Sequence, residues 1–478
     1  VYGISEANNN LSTEKRLEQN AVYLNLSATY RDFFTEIIYS DSAREEIHFW
    51  PSPTDGLLDE MDFLATVFGI KKKLGKDTVL KGVFRYFKSE YWREFDYFTE
   101  EFYGQEIERS TKWEAEFNLF YNPSEHFSLT LGSVYNNTDS ELKLDIPSLL
   151  NLRAGHRIND VQYFSFFLEA DYGFSERFKL ISGFRLQKLM AFDFAYFNNP
   201  DNFIYTQGTY AGTRLEFIPR FAAIYTFGNN HIIKLLYGKA IQYPSSADMV
   251  TQKTSGYDHL EPEYIQTVEL NYISRISDRL SLNLSFFHNR LDNLIATILE
   301  FDSEGNWAPR RSNSGKIISN GVELMISARP SKFLALEFSG TYQQARDQRE
   351  GFENIDVAYS PDWLLHFKVS YFFNNRISLS LFGKYISPMD TLWDIAKINE
   401  DASLGGRIGS RVDGYSVFNC NFRIRNILSK GIYFNFHVSN LFNSDYLFPL
   451  NTANSGWADK GTFGNKRKFM ISIGKIFH

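Results

Sequence analysis

In Leu280-Ser-Leu-Asn-Leu-Ser-Phe286, Leu280, Leu282, Leu284 and Phe286 fall on one side of an extended chain, and Ser281, Asn283 and Ser285 fall on the other. Successive strand side chains point to opposite faces, so this segment has one apolar wall and one polar wall. Ile432, Phe434, Phe436 and Val438 interleave in the same way with Tyr433, Asn435, His437 and Ser439. Val22, Leu24, Leu26, Ala28 and Tyr30 alternate with Tyr23, Asn25, Ser27, Thr29 and Arg31, and Trp113, Ala115, Phe117 and Leu119 stand opposite Lys112, Glu114, Glu116 and Asn118. The pattern recurs from end to end and predicts an all-β chain.

The connections alternate too. Tight turns are expected at Gly75-Lys76, Asn122-Pro123-Ser124, Ser175-Glu176, Gly228-Asn229-Asn230, Ser277-Asp278, Pro330-Ser331 and Asn374-Asn375. Between them lie long polar, aromatic-containing loops near residues 41–60, 91–107, 138–159, 193–212, 243–262, 299–316, 343–360, 388–412 and 446–463. Short connections at one end and long ones at the other are the pattern of an outer-membrane barrel with periplasmic turns and extracellular loops. The fold class read from the sequence is therefore a transmembrane antiparallel β-barrel of the large, about 22-stranded type. Counting back from His478 gives about nineteen complete strands, with a remnant at Val1–Ser5, hence about 19–20 in this chain. By that count residues 1–478 are one barrel domain, and the first strands are expected to precede Val1.

Composition agrees. The chain has 45 Phe and 28 Tyr among 478 residues, yet its mean hydropathy is negative. No stretch approaches the ~20 consecutive apolar residues of a spanning helix. The net charge of -7 gives no electrostatic reason to expect nucleic acid. The single cysteine, Cys420, forms no internal disulfide and groups with Phe418, Phe422 and Ile424 as a lipid-facing side chain. The N-terminal Val1-Tyr2-Gly3-Ile4 lacks the basic start and apolar run of a signal peptide.

A membrane interior holds no water to satisfy backbone polar groups, so strands that span it close on one another, apolar set to lipid and polar set to the lumen. A Lys or Arg on the lipid face at mid-membrane costs ~2–4 kcal/mol. Arg31, Lys81, Arg85, Lys112, Glu114, Glu116, Glu169 and Asp171 all fall opposite their strand's apolar row. Of these, Arg31, Lys81, Arg85, Glu114, Glu116, Glu169 and Asp171 are candidates for a lumen wall facing a plug domain.

Several segments resemble TonB-dependent outer-membrane receptors, in order along most of the chain. Tyr237-Gly-Lys-Ala-Ile-Gln-Tyr-Pro-Ser245 is similar to the family's YGRAFRxPS stretch, and His259-Leu-Glu-Pro-Glu263 with Thr267-Val-Glu-Leu-Asn-Tyr272 to its LxPE…TxELGY segment. Phe286-Phe-His-Asn-Arg-Leu-Asp-Asn-Leu-Ile295 resembles FYxxIDNLI, Asn320-Gly-Val-Glu-Leu324 the GxE strand, and Val438-Ser-Asn-Leu-Phe-Asn443 with Tyr446 the VxNLFNxxY segment. The resemblance implies active import of a scarce, bulky nutrient, most readily a ferric siderophore or other metal chelate. The energy would come from the TonB complex acting on a plug outside this chain. It also implies the Gram-negative outer membrane, with lipid and lipopolysaccharide as neighbours. Nothing here resembles the plug or the TonB box, and Phe477 is followed by His478.

No enzyme is expected: the chain has no nucleophile elbow, no His-Glu-x-x-His helix, no phosphate-cradling loop and no EF-hand. Gly405-Gly-Arg-Ile-Gly-Ser410 reads as a flexible loop, and no cofactor or metal site is read from the sequence. Ligand contacts are expected from the long loops, with His48, Trp50, Tyr257, His259, Trp307, Arg310, Arg311, Trp393 and Trp457 as candidates. Taken singly, each aromatic reads first as part of an interfacial girdle and only second as a ligand contact. Arg310 and Arg311 together suit an anionic chelate or, alternatively, solvent or lipopolysaccharide. The competing reading from another class is a passive large porin or a barrel-only surface-binding protein.

Overall fold

A computed structural model describes residues 19–46, 57–96, 103–146, 152–198, 206–301, 307–349, 355–392, 407, 410–427, 431–448 and 462–475. The expected remnant at Val1–Ser5, the C-terminal Phe477-His478, and His48, Trp50, Trp393 and Trp457 lie outside these residues.

The strands are β1 (Gln19–Tyr30), β2 (Phe33–Glu46), β3 (Leu57–Leu74), β4 (Thr78–Asp96), β5 (Tyr103–Ser124), β6 (Phe127–Ile146), β7 (Leu152–Gly173), β8 (Phe178–Leu189), β9 (Phe192–Asn198), β10 (Thr206–Tyr210), β11 (Glu216–Phe227) and β12 (His231–Gln242). After helix α1 (Ser246–Thr254) come β13 (Glu263–Ser277), β14 (Leu280–Phe301), β15 (Trp307–Ser331), β16 (Leu334–Asp347), β17 (Ile355–Asp356), β18 (Trp363–Phe372), β19 (Ile377–Ile386), β20 (Tyr415–Arg425), β21 (Ile432–Ser439), β22 (Leu447–Phe448), β23 (Thr462–Phe463) and β24 (Lys468–Lys475). Twenty-two of them make one sheet, and β22 pairs with β23 apart from it. Three of the twenty-two, β9, β10 and β17, are short, which leaves nineteen longer strands among the described residues, as the alternation predicts.

The chain divides into two compact units, Val1–Tyr172 with Ile181–Pro219 and Pro244–Glu261, and Gly173–Leu180 with Arg220–Tyr243 and Pro262–His478. In the first, β1 to β7 form an antiparallel meander whose register keeps like with like. Phe84 faces Ala115, Gly82 faces Phe117 and Leu80 faces Leu119, while Lys81 faces Asn118 and Arg85 faces Glu114. Phe84 and Phe117 are each 43% exposed on the apolar face, a display of apolar surface that water would not tolerate over so many strands. On the polar face Arg85 binds Glu114 at 2.6 Å and Glu116 at 2.7 Å.

From Trp113 to Tyr121 the apolar row of β5 spans nine residues, about 26 Å along the strand and about 20 Å once tilted, near the ~25 Å of a barrel's apolar band. Trp113 stacks near Phe84 (6.3 Å) and Tyr135 (5.0 Å), marking the edge of that band. Above it the same face turns charged: Arg109 pairs with Glu90 at 2.7 Å and Arg157 with Glu141 at 2.7 Å. The strands thus continue into regions expected to be loops, and β5 reaches 22 residues.

In the second unit β11 to β16, β18 to β21 and β24 repeat the arrangement. Leu284 faces Leu324 and Phe286 faces Val322, and Cys420 sits in the apolar row Leu381, Cys420, Val438, Phe469. Three tight turns fall later than the sequence suggests: β13 runs through Ser277, past a register shift, and turns at Asp278-Arg279, and the other two lie beside a proline. β5 runs on through Ser124 and β15 through Ser331, each past a register shift that accommodates the adjacent proline, which has no N–H to donate. The turns are then Glu125-His126 and Lys332-Phe333. The Val438–Tyr446 motif proves to be a knot at the top of β21. Buried Asn440 donates from Nδ2 to the carbonyls of Ser444 (2.8 Å) and Asn465 (3.0 Å), and its Oδ1 accepts from Ser444 N–H (2.9 Å). Tyr446 then stacks on Tyr415 at 4.8 Å and lies across Gly464, where any Cβ would strike its ring.

Candidate functional site

The polar face of the first unit does not end with the apolar band. Along β4 the set Arg85, Phe87, Ser89, Tyr91, Arg93 keeps its side, and along β5 so does Glu106, Glu108, Ser110, because period-two alternation persists wherever the ladder does. Above the band these rows and the upper ends of β6 and β7 frame a cleft of about 600 Å³, with Tyr91, Arg93, Glu106, Glu108 and His156 on its walls. Ser245, Ser246 and Ala247, at the start of α1, close one side.

Asp59 of β3 is the pivot of this wall and is only 3% exposed. It accepts from Tyr91 Oη at 2.9 Å and from Arg93 Nε at 2.9 Å, and Arg44 reaches it at 3.5 Å. A buried carboxylate is tolerated when it is paired and hydrogen-bonded, and here three donors surround it. The far side of the Arg93 guanidinium lies 3.6 Å from Glu106. Burial pushes the Glu106 carboxyl above the usual range, Arg93 offsets part of that, and the nearby Glu108 and Asp59 charges add to it. Burial alone holds His156 below the ordinary imidazole value, so it is a neutral hydrogen-bonding ring near pH 7. The cleft therefore offers a fixed phenol and guanidinium, two carboxylates, an imidazole and several hydroxyls.

The α1 segment lies where the sequence predicts a loop. Its start is written locally: Ser245 is extended and accepts from Asp248 N–H at 3.0 Å, the pattern of an N-cap after a proline. The helix buries Met249 and Val250. Beyond it His259 packs face to face on Tyr210 of β10, 4.3 Å between ring centres, with Nε2 2.6 Å from the Tyr210 hydroxyl. Tyr210 is 2% exposed and also stacks on Phe192, so the hairpin β9–β10 is pinned to the loop that follows α1.

The candidates named from sequence scatter. Tyr257 is half-buried just after α1, and His259 is held by Tyr210 while its ring stays exposed. Arg310 and Arg311 face Ile298 and Thr297 in the β14–β15 ladder, and as successive strand residues they point to opposite faces, so they do not form one anion clamp. Trp307 pairs through its backbone with Phe301. Lys81, Arg85, Glu114, Glu116, Glu169 and Asp171 all fall on the polar face, Glu169 opposite Thr130 and Asp171 opposite Ser128. Arg31 instead occupies the two-residue turn between β1 and β2 with a left-handed φ of 54°, at the tip of the hairpin. Asp59, Tyr91, Arg93, Glu106 and His156 were not singled out from sequence, although the unbroken polar row from Arg85 to Arg93 carried the signal. Among the described residues no three His, Cys, Asp or Glu side chains converge as metal ligands.

Residues 5–441 match the family described as TonB dependent receptor-like, beta-barrel. No curated protein matches the chain in sequence. Among solved structures, the copper transporter OprC superposes with a TM-score of 0.72 at 14% identity, covering 95% of this chain and 71% of its own. The ferric-catecholate import receptor Fiu from E. coli K12 gives 0.66 at 14% identity over 95% and 74%, and the ferric yersiniabactin uptake receptor FyuA from Yersinia pestis 0.68 at 14% over 95% and 68%. At such identities the likeness is one of fold, that of the large outer-membrane barrel receptors.

Proposed function

The chain belongs to the TonB dependent receptor-like β-barrel family, and on that premise we propose that it imports a scarce, bulky metal chelate, a ferric siderophore or a related complex, across the outer membrane. Family membership supports a receptor and transporter role in the Gram-negative outer membrane. The finer reading rests on the cleft above the apolar band, with Tyr91 and Arg93 held toward it by Asp59.

A chelate is large, rigid and studded with oxygen atoms. Recognising one calls for a roomy polar recess whose donors are fixed before the ligand arrives, because ordering flexible side chains on binding costs affinity. The cleft's volume of about 600 Å³ lies within the range of small-molecule sites. Transport would then draw on the TonB complex acting through a plug domain. Relatives in fold include receptors named for ferric-catecholate import and ferric yersiniabactin uptake, which supports an iron chelate as cargo.

The test is uptake of radiolabelled ferric chelates by an iron-starved strain carrying or lacking the gene, each with and without TonB. Uptake lost in both deletions supports the proposal. Uptake that needs the gene but not TonB would make it a passive pore, and unchanged uptake of every chelate would remove iron complexes as cargo.

A further inference from the structure

The tight-turn end of the second unit is basic, against the trend of a chain with net charge -7. Arg177, Arg279, Arg329, Lys332, Arg376 and Arg425 stand in or beside five of its turns, and all six are exposed. The carboxylates in those turns are Glu176 and Asp278, and Asp278 is already bound by Arg275 at 2.8 Å. Among the described residues, none of the six cations pairs with a carboxylate.

A second regularity accompanies the charge. Each of these turns also carries a large apolar side chain turned out to the surface: Phe174 (59% exposed), Ile276, Phe333, Phe373 (52%) and Ile427. Each lies within three residues of one of the cations. An apolar group beside a snorkelling cation suits a lipid interface, the first entering the acyl boundary and the second reaching a headgroup phosphate.

We infer that the turn end of this unit binds anionic phospholipid, of the phosphatidylglycerol type, in the periplasmic leaflet. Zwitterionic lipid offers the same phosphate, but its own amine cancels the attraction, whereas guanidinium groups without a carboxylate partner favour a headgroup with net negative charge. The assignment follows from the barrel's orientation, with tight turns on the periplasmic side, and is independent of the cargo.

The experiment uses the full-length receptor purified in detergent, exposed to equal amounts of phosphatidylglycerol and phosphatidylcholine, with bound lipids counted by native mass spectrometry. The wild type is expected to retain at least about threefold more phosphatidylglycerol, an excess that shrinks as salt approaches ~0.5 M. Replacing Arg279, Arg329, Arg376 and Arg425 together by Gln abolishes the excess, while replacing the same four by Lys preserves it. Equal retention by the wild type overturns the inference, and so does an excess that survives in the Gln variant. Loss of the excess in the Lys variant as well would overturn its electrostatic origin. A Gln variant with unchanged lipid retention but lost contact with a periplasmic protein would reassign the surface to that protein.

Discussion

Arg93 Nε lies 2.9 Å from the Asp59 carboxylate, and the same carboxylate takes the Tyr91 hydroxyl at 2.9 Å. One buried acid on β3 thereby fixes two side chains of β4 at the mouth of the cleft. It ties β3 to β4 in the upper wall.

Asp59→Asn keeps the shape of this pivot but removes its charge and leaves Arg93 half-compensated. Breaking a partly buried ion pair from one side costs about 3–5 kcal/mol in a fully desolvated site, and less here because Arg93 keeps some solvent and Glu106 remains. The expected outcome is a lower melting midpoint and at least about tenfold weaker uptake of the cargo. Unchanged uptake at wild-type surface expression would show that Tyr91 and Arg93 hold their places without Asp59.

The Glu106 carboxyl, raised by burial and by its acidic neighbours, gives a pH signature. For an acid whose folded value is raised, the penalty appears as pH climbs through that value, and below the unfolded value both states are neutral and the penalty vanishes. Glu106→Gln should therefore raise the melting midpoint by about 1–2 °C at pH 8 and leave it unchanged near pH 3.5. Differential scanning calorimetry of the two proteins at both pH values decides the matter, and a shift of equal size at both would dismiss the titration as its source.

Cys420 lies in the apolar row with Leu381 and Val438. Cys420→Arg should cost ~2–4 kcal/mol of stability in a bilayer, the penalty for a mid-membrane cation on the lipid face. The check is the denaturant midpoint of the protein refolded into vesicles. A variant as stable as the wild type would place this row away from lipid.

Asn440 serves as a fastener. Asn440→Ala removes side-chain bonds to Ser444 and Asn465 and leaves buried backbone groups unsatisfied, with an expected loss of about 2–3 kcal/mol. Gly464→Ala drives a methyl into the Tyr446 ring and should destabilise the same corner. The corner's amide-exchange protection reports on both, and full protection in either variant would refute this role for the motif.

Much of this was legible in the sequence. The alternation of Leu280–Phe286 and its counterparts fixes the strands, their faces and even their number, because side-chain direction in a strand depends only on parity. Cys420 could be placed in the apolar row, and Arg85, Glu114 and Glu116 on the polar side, by counting alone. The ordered motifs pointed to the family.

What the tertiary structure decided was which distant polar residues meet. Asp59, Arg93 and Glu106 are brought together by the β3–β4–β5 register, and where that register continues past the apolar band is set by ladder hydrogen bonds rather than by composition. The same cause parted Arg310 from Arg311: neighbours in sequence, they fall on opposite faces once their segment is strand and not loop. His259 met Tyr210 because a hairpin and a helix pack together across a gap of 49 positions. Local sequence determines which way a side chain points, but only the pairing of strands determines what it points at.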